Sequence, residues 1–456
     1  MSSEERHSVG PFTEAGGKNA PRFSKSGSDM SFPLWFAFHC AWALLIPLIC
    51  TGEPPETSWG RVSRSTVGPG HFSADRGNGK EDRTGPGNLP VASDSTWRLD
   101  FDLRIGSLED IDQAFTSITQ LLPSGDGSLF ALDSEQNEIY SYSPSGVLQD
   151  RLGGSGPGPG EFYLPVSLGW WRGEDSIWVQ DLALRRVTIF AKDGEVARTF
   201  PLNEVDYATD LRIRLVDHFL SDGEAVALAN PRSFERERTD IPLVRLAGDE
   251  VVSELLRLDR SGSTVPIRGD PQGGFMVHPL PDGPLVGFEP AGDLIVVVDR
   301  TAHSGDGSPS IEVQAWHARS GLVWNREIPY SASPIPSRVA DSIGSLVHGR
   351  FRDMYKNDGL SEREIREIHE KTIVLPRYYP PIHSVVIEAG GRIWLNWAKT
   401  IEGPGITILN RDGSTLAQVI RPTEDLPVTA VAGDFAWGVQ HDDLDVPYII
   451  RWKIRK

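Results

Sequence analysis

Apolar and polar positions alternate in short runs along this chain, and the pattern is sharpest over residues 152–200. There a Gly/Pro loop (GGSGPGPGEFYLP) leads into four apolar-rich runs separated by Gly-Glu-Asp, Ala-Leu-Arg and Lys-Asp-Gly. Runs of this length bounded by turn residues predict four antiparallel strands. Weaker copies recur. SLFALD (128–133), SIWVQD (176–181), EAVALA (224–229), DLIVVV (293–298), RIWLNW (392–397) and DFAWGV (434–439) each follow a turn and read as the second strand of a unit. Their anchors, Phe130, Trp178, Val226, Ile295, Trp394 and Trp437, are 48, 48, 69, 99 and 43 residues apart. A basic period in the forties with four strands per unit is what a propeller blade needs. Six anchors predict an all-β, six-bladed β-propeller.

The third and fourth strands repeat as hairpins, as in VTIFAKDGEVARTF and ITILNRDGSTLAQVI. The sixth unit ends at YIIRWKIRK without a fourth strand, while residues 97–105 (WRLDFDLRI) alternate with no unit of their own. A ring leaves no open edge, so this amino-terminal strand is expected to complete the last blade. The long spacings place insertions at 230–241 and 299–310, and the largest at 329–381, between blades 4 and 5. That last one carries a helix signature: Ser361 with Glu364 reads as a capping box, and Ile365, Ile368 and Thr372 share a face.

Ahead of the repeats, residues 32–49 form an uncharged apolar run preceded by Arg22 and Lys25 and followed by Cys50 and Gly52. Residues 1–52 therefore read as a signal peptide with a polar lead, or as an uncleaved membrane anchor. Residues 53–96, rich in Gly, Pro, Ser and charge, read as a flexible linker to the propeller at 97–456. The expected location is outside the cytoplasm, with membrane contact only through the amino-terminal segment. Both cysteines, Cys40 and Cys50, fall in that segment, so the rest of the chain has neither disulfides nor thiolate ligands. The net charge of −18, from 45 basic and 63 acidic residues, argues against a nucleic-acid partner.

Residues 153–195, with GGSGPGPGEFYLP, IWVQD, RRVTIF and DGE, resemble the NHL-type repeat of six-bladed propellers. The stretch PRYYPPIHSVVIEAGGRIWL resembles a feature of secreted bacterial propellers of unassigned role. The NHL resemblance implies a scaffold that binds proteins, peptides or RNA. Related six-bladed folds include metal-dependent lactonases and an amidating lyase, but their Glu/Asn/Asp calcium set finds no residue-by-residue match here. The fold is carried over and the activity is not.

Few residues carry chemistry by pattern. The Gly154 to Gly160 loop lacks the Gly-Lys-Ser/Thr ending of a phosphate cradle, and reads as a blade connection in which Arg185 and Arg186 are structural. The eleven histidines form no His-x-His or His-Glu-x-x-His. The recurring aromatics read as packing between blades. Candidate ligand-binding residues are Arg377, Tyr378 and Tyr379 in the large insertion, Trp397, and His441 beside Asp442 and Asp443. The tyrosines are equally readable as clamps that fix the insertion to the ring. No catalytic residue or cofactor is predicted, and a channel-bound calcium is left open.

Strand direction puts all three insertions and the Gly/Pro loop at one end of the ring, with tight turns at the other. Ornament on one face of a rigid scaffold is where binding is expected. The favoured reading is an exported scaffold holding a protein, peptide or glycan there. The alternative is a metal-dependent hydrolase or lyase in the central channel. The innermost strands weigh against it, since SITQL, VSLGW, RIRLV, LVGFE, SVVIE and VTAVA carry few carboxylates. For the amino end, mass measurement on exported protein is expected to find residues 1–52 removed. A mass that retains residues 1–30 would overturn the leader.

Overall fold

The computed structural model describes residues 95–107, 113–232, 238–267, 275–301, 307–355, 359–398, 400, 401, 403, 405–420 and 427–456. The expected leader and almost all of the linker lie outside these residues, as do 233–237 and 302–306 of the two smaller insertions. Among the described residues no helix is long and apolar enough to cross a membrane.

Four antiparallel four-stranded sheets follow one another. They comprise Ile118–Pro123 through Leu148–Gly153, Pro165–Trp170 through Val196–Pro201, His218–Phe219 through Glu250–Asp259, and Leu285–Phe288 through Gly321–Pro329. Apart from two small ribbons, the remaining strands make one eight-stranded sheet with two halves. One half is Ile382–Ile387, Ile393–Trp397, Ile406–Leu409 and Thr415–Ile420; the other is Thr96–Ile105, Pro447–Arg455, Phe435–His441 and Ala430–Ala432. Thr96–Ile105 joins them. It pairs antiparallel with Pro447–Arg455, as expected, and its first residues also pair parallel with Thr415–Ile420, Trp97 lying opposite Val419.

The innermost strands are neighbours in a cycle. Ile118–Pro123 lies beside Pro165–Trp170, which lies beside His218–Phe219, and Leu285–Phe288 lies beside Ile382–Ile387. Ala430–Ala432 stands between Ile382–Ile387 and Ile118–Pro123. The third and fourth sheets meet where His218 stacks on Phe288 at 5.1 Å. Sheets packed face to face around an axis are the arrangement of a β-propeller.

Large apolar side chains fill the joints. Phe130 meets Trp170 edge-on at 5.8 Å, Trp178 meets Phe219 at 5.1 Å and Trp394 meets Trp97 at 6.2 Å. Trp437 packs against the first sheet's Tyr140 and Tyr142. Burying such a ring contributes roughly 1.5–3 kcal/mol. One anchor is out of step. Ile295 packs back onto the third sheet, whereas Leu294, Val296 and Val298 face the strand Ile382–Ile387. The repeat in the fourth unit thus begins one residue later than read, at Leu294, and a one-residue shift turns every side chain to the other face.

Polar side chains span the same joints at the inner edge. Gln120 grips Leu168 through both backbone groups, donating to its carbonyl at 2.8 Å and accepting from its N–H at 3.0 Å. Asn396 does the same to Val428, at 3.1 and 3.2 Å. Gln180 accepts from Val216 N–H at 2.8 Å, and Arg300 donates to the carbonyls of Gly283 and Ile382 at 2.7 and 3.1 Å.

Two expectations need correction. The run RIRLV is not the third unit's innermost strand. Leu211–Ile213 pairs with Val205–Ala208 and Asn230–Pro231 in a separate ribbon, where Arg212 and Arg214 salt-bridge Glu204 at 3.2 and 2.8 Å. The inner strand there is only His218–Phe219. The large insertion holds two helices rather than one. Glu362–Thr372 has the expected Ser361/Glu364 capping box and buries Ile365, Ile368 and Thr372. Ser337–Met354 buries Val339, Ile343, Val347 and Phe351. Both pack with Ile267, Met276 and Leu280, from the connection between the third and fourth sheets, into a satellite core.

Removing residues 97–105 strips a strand from two sheet halves at once. Such a truncation is expected to lose most of a domain stability of roughly 5–15 kcal/mol. A truncated chain that melts cooperatively at the full-length temperature would refute this closure.

Candidate functional site

The two ends of the helical insertion are tied into a short ribbon. Ile335 N–H donates to the Arg377 carbonyl at 3.1 Å, Tyr379 N–H to the Ser333 carbonyl at 3.0 Å, and Pro334 bridges to Tyr378. Extended backbone sends neighbouring side chains to opposite sides. Tyr379 therefore enters the satellite core and is buried among Ile267, Val339 and Ile365. Tyr378 is half-buried on the other side, with the exposed Arg377 guanidinium 5.2 Å from its ring centre.

The chain enters this stem from the strand Gly321–Pro329 and leaves it into Ile382–Ile387. Tyr330 leaves the fourth sheet and packs on Trp397 at 6.1 Å. Burial pushes its phenol above the ordinary value, and the charge of Asp282 and the nearby Tyr378 push the same way. Arg300 is buried beneath. Loss of water lowers its guanidinium to about 10, against the pull of Asp282 and Asp299. Tyr330 thus neighbours Asp282, Tyr378 and Trp397, Asp282 neighbours the buried Arg300, and Arg377 lies over Tyr378. A perturbed phenol and a perturbed guanidinium among neighbouring charged and aromatic side chains mark a candidate site.

The sequence candidates divide. Arg377, Tyr378 and, through Tyr330, Trp397 come together. Tyr379 faces away and serves as a clamp. Trp397 is buried, donates from its indole to Thr407 at 2.8 Å, and offers a ligand no open face. Its place in the repeat explains this. Trp397 lies opposite Ile382 just as Asp133 lies opposite Ile118 and Asp181 opposite Pro165. Those aspartates are buried, and each accepts three backbone N–H groups, Asp181 from Tyr163, Leu164 and Leu184. His441 is exposed in the last unit's hairpin, and Asp442 beside it is occupied by Leu444 N–H, Val446 N–H and the Tyr448 hydroxyl.

The Gly/Pro loop is likewise spoken for. The Glu161 carboxylate takes Gly158 N–H at 2.7 Å, and Arg186 donates to the carbonyls of Pro157, Gly158 and Glu161. Gly153 has φ 107°, and a Cβ there would lie 2.6 Å from the Asn137 carbonyl, so only glycine fits.

Sequence reading missed Asp282, Arg300 and Tyr330. One signal was present: the charged pair Asp299-Arg300 directly ends the all-apolar run LIVVV. It also missed ionisable groups at the channel. Water reaches Asp217, His383 and the threonines Thr119 and Thr429 along the innermost strands. Among the described residues no group of three or more His, Cys, Asp or Glu side chains gathers as a metal site. Beside Asp217, His218 is buried, with Nε2 3.1 Å from the Gly292 carbonyl. Burial lowers its imidazole to about 4, although the Gly292 carbonyl and the charges of Asp293 and Glu289 oppose the shift.

No family model matches the chain, and no curated protein matches it. Among solved structures it is similar to a protein of Bacteroides fragilis (13% identity, TM-score 0.42, 80% of this chain and 98% of that one). It is also similar to the calcium-binding protein regucalcin of Agrobacterium tumefaciens (11%, 0.36, 79% and 96%) and to virginiamycin B lyase of Staphylococcus aureus (12%, 0.31, 80% and 97%). At these identities and TM-scores the likeness says nothing of activity.

His218 supplies a test of the third joint. A histidine held neutral stabilises fully above its unfolded value of about 6.5, and that stability is lost as pH falls from there through the folded value. Folded His218 titrates at about 4. His218→Gln keeps a donor for Gly292 and cannot titrate. Its melting temperature is expected to fall less than that of the wild type between pH 7 and 4. Parallel curves would show that His218 is not coupled to folding.

Proposed function

We propose that the chain is an exported, non-catalytic binding module. Residues 97–456 form a six-bladed propeller of NHL type, after a leader (1–52) and a flexible linker (53–96), with the 329–381 insertion between blades 4 and 5. The cycle of inner strands and the 153–195 repeat support the fold. The face bearing the stem holds a protein, peptide or glycan, and a polypeptide segment fits it best. Nucleic acid is not a partner, and the membrane is met only through the amino-terminal segment.

The observation that carries this reading is the exposed Arg377 over half-buried Tyr378, beside Tyr330 and Asp282, on a stem tied down at both ends. Arg and Tyr are favoured contact residues, and a rigid support keeps the cost of ordering them low. The alternative reading is a metal-dependent hydrolase or lyase with its site at the central channel.

The test is a peptide-display library and a glycan array screened with the purified exported protein and with its Arg377→Ala/Tyr378→Ala variant. Peptide hits are expected to weaken about tenfold or more in the variant, a difference of about 1.4 kcal/mol, at an unchanged melting temperature. Hits that bind the variant equally well would remove the stem as the binding surface. A variant destabilised by several kcal/mol would make Tyr378 a clamp like Tyr379.

A further inference from the structure

The two helices of the large insertion each turn a histidine toward the other. His348 of Ser337–Met354 and His369 of Glu362–Thr372 stand with ring centres 5.7 Å apart and planes at 58°. Phe351 meets the His369 ring edge-on with centres 6.1 Å apart, and a Cβ on Gly344 would lie 3.9 Å from His369 Cε1. Gly344, His348 and Phe351 follow one another at spacings of four and three residues, which places them on one face of their helix. The His369 ring is laid across that face.

Each ring keeps one nitrogen enclosed and unused. His348 Nδ1 and His369 Nε2 are both buried, and neither has a hydrogen-bond partner. A polar atom shut off in this way costs about 1–3 kcal/mol. Here two such atoms lie on adjoining rings, and both are of the type that ligates metal. The Glu362 carboxylate stands 3.6 Å from His348 Nε2 and is itself held by Arg352 at 2.9 Å. A carboxylate at that edge favours the proton on Nε2 and leaves the Nδ1 lone pair free, as behind many metal-bound histidines. Burial holds the His369 imidazole below its ordinary value, and the charge of His348 adds to this against that of Glu370, so His369 is neutral at pH 7.5. Two imidazoles on one tetrahedral ion, at metal–nitrogen distances of about 2.0–2.1 Å, place their ring centres about 5 Å apart, close to the spacing here. Among the described residues no third His, Cys, Asp or Glu joins them, which leaves the remaining coordination to water.

We propose that His348 Nδ1 and His369 Nε2 bind one divalent transition-metal ion, of the zinc, nickel or copper kind, and so staple the two helices together. Nitrogen donors select such ions over calcium and magnesium, which take oxygen. The staple braces the satellite core in which Tyr379 is buried. It uses neither Arg377 nor Tyr378, so it stands or falls separately from the binding surface proposed above.

The experiment titrates the full chain, stripped of metal by a chelator, with zinc, nickel and calcium chlorides at pH 7.5 in a calorimeter, and records melting temperatures alongside. One zinc or nickel ion per chain is expected to bind and to raise the melting temperature, because it binds the folded chain in preference. Calcium should do neither. His348→Gln and His369→Gln should each weaken zinc about tenfold or more and remove the rise in melting temperature. Glu362→Gln alters an exposed side chain that positions His348, and should weaken zinc about tenfold while the metal-free melting temperature stays unchanged. That variant decides the matter where a histidine variant fails to fold. Three results would overturn the staple and leave the rings bridged by water: no zinc or nickel binding by the wild type, equal binding of calcium, or undiminished zinc binding by a folded histidine variant or by Glu362→Gln.

Discussion

The innermost strand of each sheet has an edge with no further strand beside it, and the ring depends on how that edge is satisfied. Leu168, Val216 and Val428 would otherwise leave backbone groups unpaired in a narrow space, at about 1–3 kcal/mol for each group shut off from water. Gln120, Gln180 and Asn396 reach across from the preceding sheet and supply the missing partner. A carboxamide presents an N–H and a C=O side by side, as a peptide unit does, so Gln120 and Asn396 each act as one residue of an absent strand. These contacts are directional, unlike the apolar joints of Trp178 and Trp394, and they set the angle at which apolar faces meet.

Much of this architecture was legible in the sequence because hairpins are local. Turn residues and period-two runs located the strands, and the missing fourth strand of the last unit pointed to residues 97–105. Failures came where a local pattern had two readings. RIRLV does alternate, but it buries Leu211 and Ile213 against the second and third sheets from a separate ribbon rather than as an innermost strand. His218–Phe219, only two residues long, gives no pattern at all. The helix Ser337–Met354 escaped because its N-cap is Pro336, which makes no side-chain cap, and because Gly344 and Gly349 dilute its apolar face. Glu362–Thr372 was visible because Ser361 and Glu364 announce it.

The candidate site was half legible for a similar reason. Arg377 and Tyr378 stand out as a charged and aromatic pair within an insertion. Asp282, Arg300 and Tyr330 lie 95, 77 and 47 positions before Arg377 along the chain, and only the packing of two sheets assembles them. Trp397 was legible in principle. Aligning the ends of the second strands, rather than their centres, puts it level with Asp133 and Asp181 and marks it as a structural position.

The strand Thr96–Ile105 has a mechanical consequence. It starts beside Arg455 and finishes beside Ile449, so the chain preceding residue 95 joins the ring at the tight-turn end, opposite the stem. A pull on that chain acts along the strand's own axis, loading its hydrogen bonds to Pro447–Arg455 and to Thr415–Ile420 in shear. The bonds must then yield together rather than peel one at a time. A leash attached at this point would hold the ring without opening it, and would leave the ornamented face turned away from the point of attachment.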